Sequence, residues 1–158
     1  MVNRRWFVLL GFLIVTFVAA GIGGAATSSS VTTWYPTLQK PSWNPPSWLF
    51  GPVWSALYVL MAVAAWRVSR HTETPGRRHA LAWYFGQLAL NALWSCLFFG
   101  LRSPGLAFAE VLVLWTAIVI TGVKFARIDR IAAMLWLPYL AWVSFASVLN
   151  GTVWWLNR

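Results

Sequence analysis

WLFGPVWSALYVLMAVAAW, Trp48 to Trp66, decides the fold class, because nineteen consecutive residues carry no charge. At about 1.5 Å per residue such a run makes a helix nearly as long as the roughly 30 Å hydrocarbon core of a bilayer. Its apolar residues run continuously instead of alternating, which excludes a transmembrane β-barrel. Four other stretches read the same way. Helices are therefore expected over 6–26, 48–66, 80–101, 104–125 and 131–156. The chain reads as an all-α membrane protein, a bundle of five transmembrane helices forming one domain over 1–158.

Composition agrees. Of 158 residues, 59% are apolar and 9% charged, against about 25% charged in a soluble domain. Aromatic, apolar composition excludes disorder. A single cysteine excludes a disulfide framework and a zinc site built mainly from thiolates. The breaks between the helices are polar. Arg67 to His79 holds four arginines, both histidines and Pro75-Gly76; Arg102-Ser103 is a two-residue turn, with Ser103 as N-cap and Pro104 at the first helical position; Lys124 to Arg130 is a basic hinge. Arg4-Arg5 followed by an apolar run has the look of a secretory signal. The run is about twenty residues, longer than a usual signal core, so it reads as an uncleaved first helix.

The segment 27–47, TSSSVTTWYPTLQKPSWNPPS, is polar and rich in Pro and Trp. Pro36, Pro41, Pro45 and Pro46 fix φ and oppose helix, so an ordered cover is expected rather than a spanning element. Loops of this length inside a compact domain are often functional.

Basic residues set the orientation. Arg4, Arg5, Arg67, Arg70, Arg77, Arg78, Lys124, Arg127 and Arg130 fall on the N-terminal side; Lys40, Arg102 and Arg158 fall on the other. Nine against three puts the N-terminus in the cytoplasm, and the C-terminus and loop 27–47 on the outer side. The net charge of +9 follows from this bias and from anionic cytoplasmic lipid, and calls for no nucleic acid.

Polar and aromatic residues within the spans form stripes. Gln87, Asn91 and Trp94 share a face of the third helix, Trp54 and Tyr58 a face of the second, and Tyr139, Trp142 and Ala146 a face of the fifth, with Asn150 one turn on. Pro138 should bend that helix. Gln87 and Asn91 fit helix–helix hydrogen bonding, and the aromatics fit either the interfacial belt or one shared cavity for a flat ligand. For Trp6, Trp66, Trp83, Trp154 and Trp155, near span ends, the belt is the better reading. Glu110, the only acid inside a span, reads as a proton relay or, preferably, as an acid close enough to the outer surface to meet water or Arg102. Cys96 reads as a small packing residue. No nucleophile–base set, phosphate loop, carboxylate pair or metal-ligand cluster is present, and no cofactor is required. His71 and His79 lie at the opposite end from the aromatic loop and cannot ligate a haem iron there.

LQKPSWNPPSWLFGPVWSALY (Leu38 to Tyr58), GQLALNALWSCLFFGLR (Gly86 to Arg102) and LPYLAWVSFASVLN (Leu137 to Asn150) together resemble the TspO/translocator-protein family, the tryptophan-rich sensory proteins or peripheral-type benzodiazepine receptors. The resemblance covers nearly the whole chain. It implies a five-helix bundle, often dimeric, with a pocket closed by the first loop. It further implies binding of tetrapyrroles such as protoporphyrin IX, and possible binding of sterols and benzodiazepine-type molecules. By motif position the pocket residues would be Trp34, Tyr35, Trp54, Tyr58, Asn91, Trp94, Trp142 and Ala146. Lys40 is the nearest cation for a propionate, with Arg102 second.

The function expected is a membrane porphyrin receptor or sensor in tetrapyrrole homeostasis or stress signalling. The alternatives are a porphyrin or sterol transporter and a light-dependent porphyrin-degrading enzyme using Trp54 and Trp142. The Leu/Val-x-Tyr-x-Lys/Arg sterol pattern is missing after Leu149, where Asn150-Gly151-Thr152-Val153 follow. Expected partners are membrane lipid and a second copy, met through small residues Ala82, Gly86 and Ala89 of the third helix.

Overall fold

The computed structural model describes residues 2–158. It contains α1 (Val2–Ser28), α2 (Ser47–Ser69), α3 (Arg77–Ser95), α4 (Pro104–Ala126) and α5 (Arg130–Leu156), and no strand among the described residues. Between α1 and α2 runs an irregular segment with one short 3-10 turn, Tyr35–Thr37. A π turn, Cys96–Gly100, extends α3. The helices neighbour one another in the order α1, α2, α5, α4, α3, and α3 returns to α1. The bundle is thus a closed ring of five in which chain order and spatial order differ.

Four helices, α1, α2, α4 and α5, are long and apolar enough to cross a membrane. Bounded by Arg77 and Ser95, α3 is not among them: it opens on Arg77, Arg78 and His79 and buries Gln87 and Asn91, and the apolar Cys96–Gly100 run that continues it is wound as the π turn. Its place in the ring, between α1 and α4, is nonetheless fixed by packing. The α1 helix is the most peripheral, with only 11% of its apolar stretch buried.

In a bilayer apolar side chains gain little by leaving lipid for protein, so close packing and hydrogen bonds hold the helices together. The core opposite the 29–46 segment shows both. Trp136 of α5 is fully buried and donates Nε1–H to the Ile118 carbonyl of α4 at 3.0 Å. Gly122 admits the indole, since a Cβ there would sit 3.0 Å from Trp136 Cδ1. Tyr84 packs beside Phe125 and Trp136 and hydrogen-bonds Thr16 of α1. At the same end, Asp129 caps α5 by accepting from Ile131 N–H (2.8 Å) and Ala132 N–H (3.2 Å). Arg67 at the end of α2 pairs with it, Nε to Oδ2, at 3.0 Å. Burial alone would raise the Asp129 carboxyl; the Ala132 N–H, His71, the Ile131 N–H and the Arg67 charge together hold it below the usual carboxylate range.

One local expectation differs from the structure. Ser103 does occupy the N-cap position of α4, but its side chain makes no capping bond. The turn is made by the backbone instead: Arg102 takes a left-handed φ of 51°, and Ser103 N–H bonds to the Leu97 carbonyl at 3.1 Å. Helix α5 continues unbroken through Pro138.

Candidate functional site

At the end of the bundle that bears the 29–46 segment, α1, α2, α3 and α5 separate around a cavity of ≈ 280 Å³. Its aromatic wall comes from Trp54 and Tyr58 of α2, Trp94 of α3, Phe98 and Phe99 of the π turn, and Trp142 of α5. Helical spacing explains the placement. Trp54 and Tyr58 are one turn apart and stack at 5.4 Å, 28° between planes. Trp142 and Ala146 are one turn apart on the same side of α5.

The wall from α1 is of another kind, made by Ala20, Gly23, Gly24, Thr27 and Ser28. Gly23 allows a close approach: a Cβ there would lie 3.0 Å from Ser95 Oγ of α3. Small residues at this crossing bring α1 close enough to close the ring.

Beneath the cavity lies a chain of buried hydrogen bonds. The Tyr58 hydroxyl donates to Asn91 Oδ1 (2.7 Å), Asn91 Nδ2 donates to the Tyr139 hydroxyl (3.1 Å), and that hydroxyl donates to Gln87 Oε1 (2.7 Å). It ties α2, α3 and α5 together. A second anchor lies higher, where Trp94 Nε1–H donates to Asn150 Oδ1 at 3.0 Å and Asn150 Nδ2 donates to the Pro104 carbonyl at 2.9 Å. Trp142 Nε1 differs from these, being buried with no hydrogen-bond partner in the protein.

The 29–46 segment meets the cavity through Val31 and Tyr35. Tyr35 is buried among Phe98 and Phe99 and donates its hydroxyl to Asn44 Oδ1 at 2.8 Å. Burial pushes its phenol up, against the lowering effect of that hydrogen bond. Ser30 Oγ donates to the Phe99 carbonyl, and Gln39 exchanges two backbone bonds with the Asn157 side chain, both at 2.9 Å.

Of the residues singled out from sequence, Tyr35, Trp54, Tyr58, Trp94, Trp142 and Ala146 lie on the cavity wall. Trp34, Lys40 and Asn91 do not. Trp34 packs edge-on against Phe98 from outside. Asn91 stands behind Tyr58. The Lys40 ammonium lies over the Tyr35 ring and donates to the carbonyls of Tyr35, Leu38 and Pro36 at 2.8, 2.8 and 3.3 Å. Glu110 contradicts the expected contact with water or Arg102: it is 9% exposed and both carboxyl oxygens are buried without a partner. Its place on the inward face of α4, beside Ala107, Val111 and Leu114, takes it away from the surface. The α1 wall and Phe99 carry no signal in the stripes, whereas Phe98, one turn beyond Trp94, extends the stripe of Gln87, Asn91 and Trp94.

Fold and site define a helical membrane protein with one aromatic-walled cavity inside one end of the bundle. The TspO/MBR family model matches residues 12–156. The chain is 41% identical to the tryptophan-rich protein TspO of Chlorobaculum tepidum, over 98% of this chain and 99% of that protein. It is 41% identical to the tryptophan-rich sensory protein of Cereibacter sphaeroides (94% and 90%) and 37% identical to the human translocator protein (94% and 89%). The chain belongs to the TspO/MBR family.

Proposed function

We propose that the protein is a receptor or sensor for a tetrapyrrole such as protoporphyrin IX, held in the aromatic cavity. The observation that carries this reading is the wall itself: Trp54, Tyr58, Trp94 and Trp142 present ring faces around one space. Flat aromatic ligands bind such faces by offset stacking and large buried area. The cavity is at the lower end of small-molecule sites, so the macrocycle enters by one edge. Its propionates, or other acceptors, then have the Trp142 indole N–H as a free donor. Lys40 takes part through Tyr35, whose ring and carbonyl it holds, and it contacts a propionate only by leaving its three carbonyls.

Trp54 and Trp142 share the wall, which supports a second reading, oxidation of the bound porphyrin in light. The receptor reading takes the cavity to face outward, with the N-terminus cytoplasmic. It takes the protein to be a homodimer through α3, where Ala82, Gly86 and Ala89 are exposed and a Cβ on Gly86 would meet nothing within 4 Å.

Titration of the purified protein with protoporphyrin IX, followed by tryptophan fluorescence, tests the reading. Saturable quenching at one site per chain supports it. Quenching that rises without saturation, as from pigment partitioned into the detergent around the protein, overturns it. Analysis of pigment products after illumination separates the sensor from the enzyme: an unchanged pigment excludes the oxidation.

A further inference from the structure

The other half of α1 carries a second feature, on the membrane face of the bundle. Val8, Gly11, Phe12 and Val15 of α1 and Phe85 of α3 line an open groove of ≈ 310 Å³. The four α1 residues follow one helical stripe. Among the described residues no polar side chain lines the groove. Gly11 faces open space there, since a Cβ on it would meet nothing within 4 Å. The parallel stack of Phe12 on Phe85, centroids 6.1 Å apart and 10° between planes, joins its two sides.

Both sides lead to a cation. Seven residues make two helical turns, so Arg5 lies on the face of Phe12, and Arg78 on the face of Phe85. Each is displaced about 10 Å along the axis from its phenylalanine, toward the same end of the bundle. Arg5 and Arg78 are exposed, and neither joins an ion pair among the described residues. The chain has little to offer them. Of its three acids, Asp129 is engaged by Arg67 and His71, Glu110 is buried in the other half of the bundle, and Glu73 in the α2–α3 turn makes no ion pair.

We propose that this groove binds an anionic phospholipid, one acyl chain lying along Gly11 between Phe12 and Phe85 and the phosphate held by Arg5 and Arg78. From Val8 to Val15 the groove runs about 10 Å, which fits within one leaflet of a core about 30 Å thick. Two guanidiniums at the membrane surface favour a lipid of net negative charge over a zwitterionic one. The α3 stripe of Ala82, Gly86 and Ala89 borders Phe85, so a second copy docked there would flank the groove, and the arginines it brings find no acid of the chain to meet, which leaves the anionic partner to the lipid.

The test is lipid retention by the full chain. Protein stripped of lipid is exposed to phosphatidylglycerol or to phosphatidylcholine with identical acyl chains, and retained lipid is counted by native mass spectrometry. One phosphatidylglycerol per chain is expected, preferred by roughly tenfold or more, as two surface cations allow. The paired change Arg5→Gln and Arg78→Gln should bring the two lipids to equal retention. Gly11→Leu, whose side chain enters open space, should reduce retention of both without unfolding. Equal retention of the two lipids by the unaltered protein overturns the proposal and needs no variant. So does unchanged retention in Gly11→Leu. Loss of a dimer in Gly11→Leu without loss of lipid would assign the groove to a second copy instead. Porphyrin quenching should be the same in all these proteins, so failure here is separable from failure of the cavity reading.

Discussion

Tyr58 and Asn91 join two parts of the protein: the Tyr58 ring is cavity wall, and its hydroxyl donates to Asn91 Oδ1, 2.7 Å away, in the buried chain below. Asn91 in turn donates to Tyr139. Replacing Asn91 by Ala therefore orphans one buried hydroxyl and removes a donor from another. The expected cost is about 1–2 kcal/mol of stability, read as a lower thermal midpoint in detergent. An unchanged midpoint would mean that the chain of hydrogen bonds contributes nothing net.

Trp142→Ala should weaken protoporphyrin IX binding by about 1.5–3 kcal/mol, the worth of a large buried side chain. Lys40→Ala should weaken it less, because Lys40 acts through the segment it pins. Trp6, on the lipid face and stacked on Trp66 at 6.2 Å, should be replaceable by Ala without effect. Fluorescence titration of the three variants checks the ranking, with circular dichroism to show that each is folded.

Orientation can be read with reporters. The nine-to-three distribution of basic residues predicts that a fusion after Arg158 is active outside the cytoplasm. A fusion within the 67–79 turn should be active inside. The reverse pattern would place the cavity mouth in the cytoplasm.

Gly86→Leu should shift the detergent-solubilised protein toward monomer, measured by light scattering. Its side chain has room in the monomer, so a loss of dimer would report the contact and not the fold. A dimer that persists would move the interface off α3.

Asp129 makes stability depend on pH. Its folded carboxyl titrates below the usual carboxylate range, so its contribution is fully present above the unfolded value of about 3.9. That contribution is lost as pH falls through the lower folded value. Asp129→Ala should cost about 1 kcal/mol at neutral pH through the lost cap alone, and the variant should show a flatter loss of stability in acid. Thermal midpoints at pH 7 and pH 3 measure both effects.

Much of this architecture is legible in the sequence, for a physical reason. Long uncharged runs admit only helix in a bilayer, and residues one turn apart must share a face, so Trp54 with Tyr58 and Trp142 with Ala146 are paired before any fold is known. What stays hidden depends on which helices meet. The α1 wall is built from Gly23, Gly24 and other small residues, whose role is to let a neighbour approach, and nothing local reports the neighbour. Helix α3 reaches its full apolar length only with the Cys96–Gly100 run, and nothing in the pattern shows that this run winds as a π turn. Depth along the helix puts Glu110 close to the outer end of α4, but rotation about the axis turns it inward. The partners of Lys40 are backbone carbonyls, which no side-chain pattern reveals, so the sequence alone leaves its ammonium available to a propionate.

The π turn at Cys96–Gly100 makes the cavity depend on a count. Leu101 N–H reaches back five residues to the Cys96 carbonyl at 2.8 Å, so this turn holds one residue more than a regular one. The wide turn lets the adjacent Phe98 and Phe99 both touch Trp94, at 5.2 and 6.1 Å. Removing any single codon between Ser95 and Leu101 would close the wide turn to regular winding, leaving the chain beyond it in place but one side chain fewer at this level. Phe98 and Phe99 would then no longer both face Trp94, whatever residue was lost. Relatives of this chain should therefore vary more freely in the identity of these five residues than in their number.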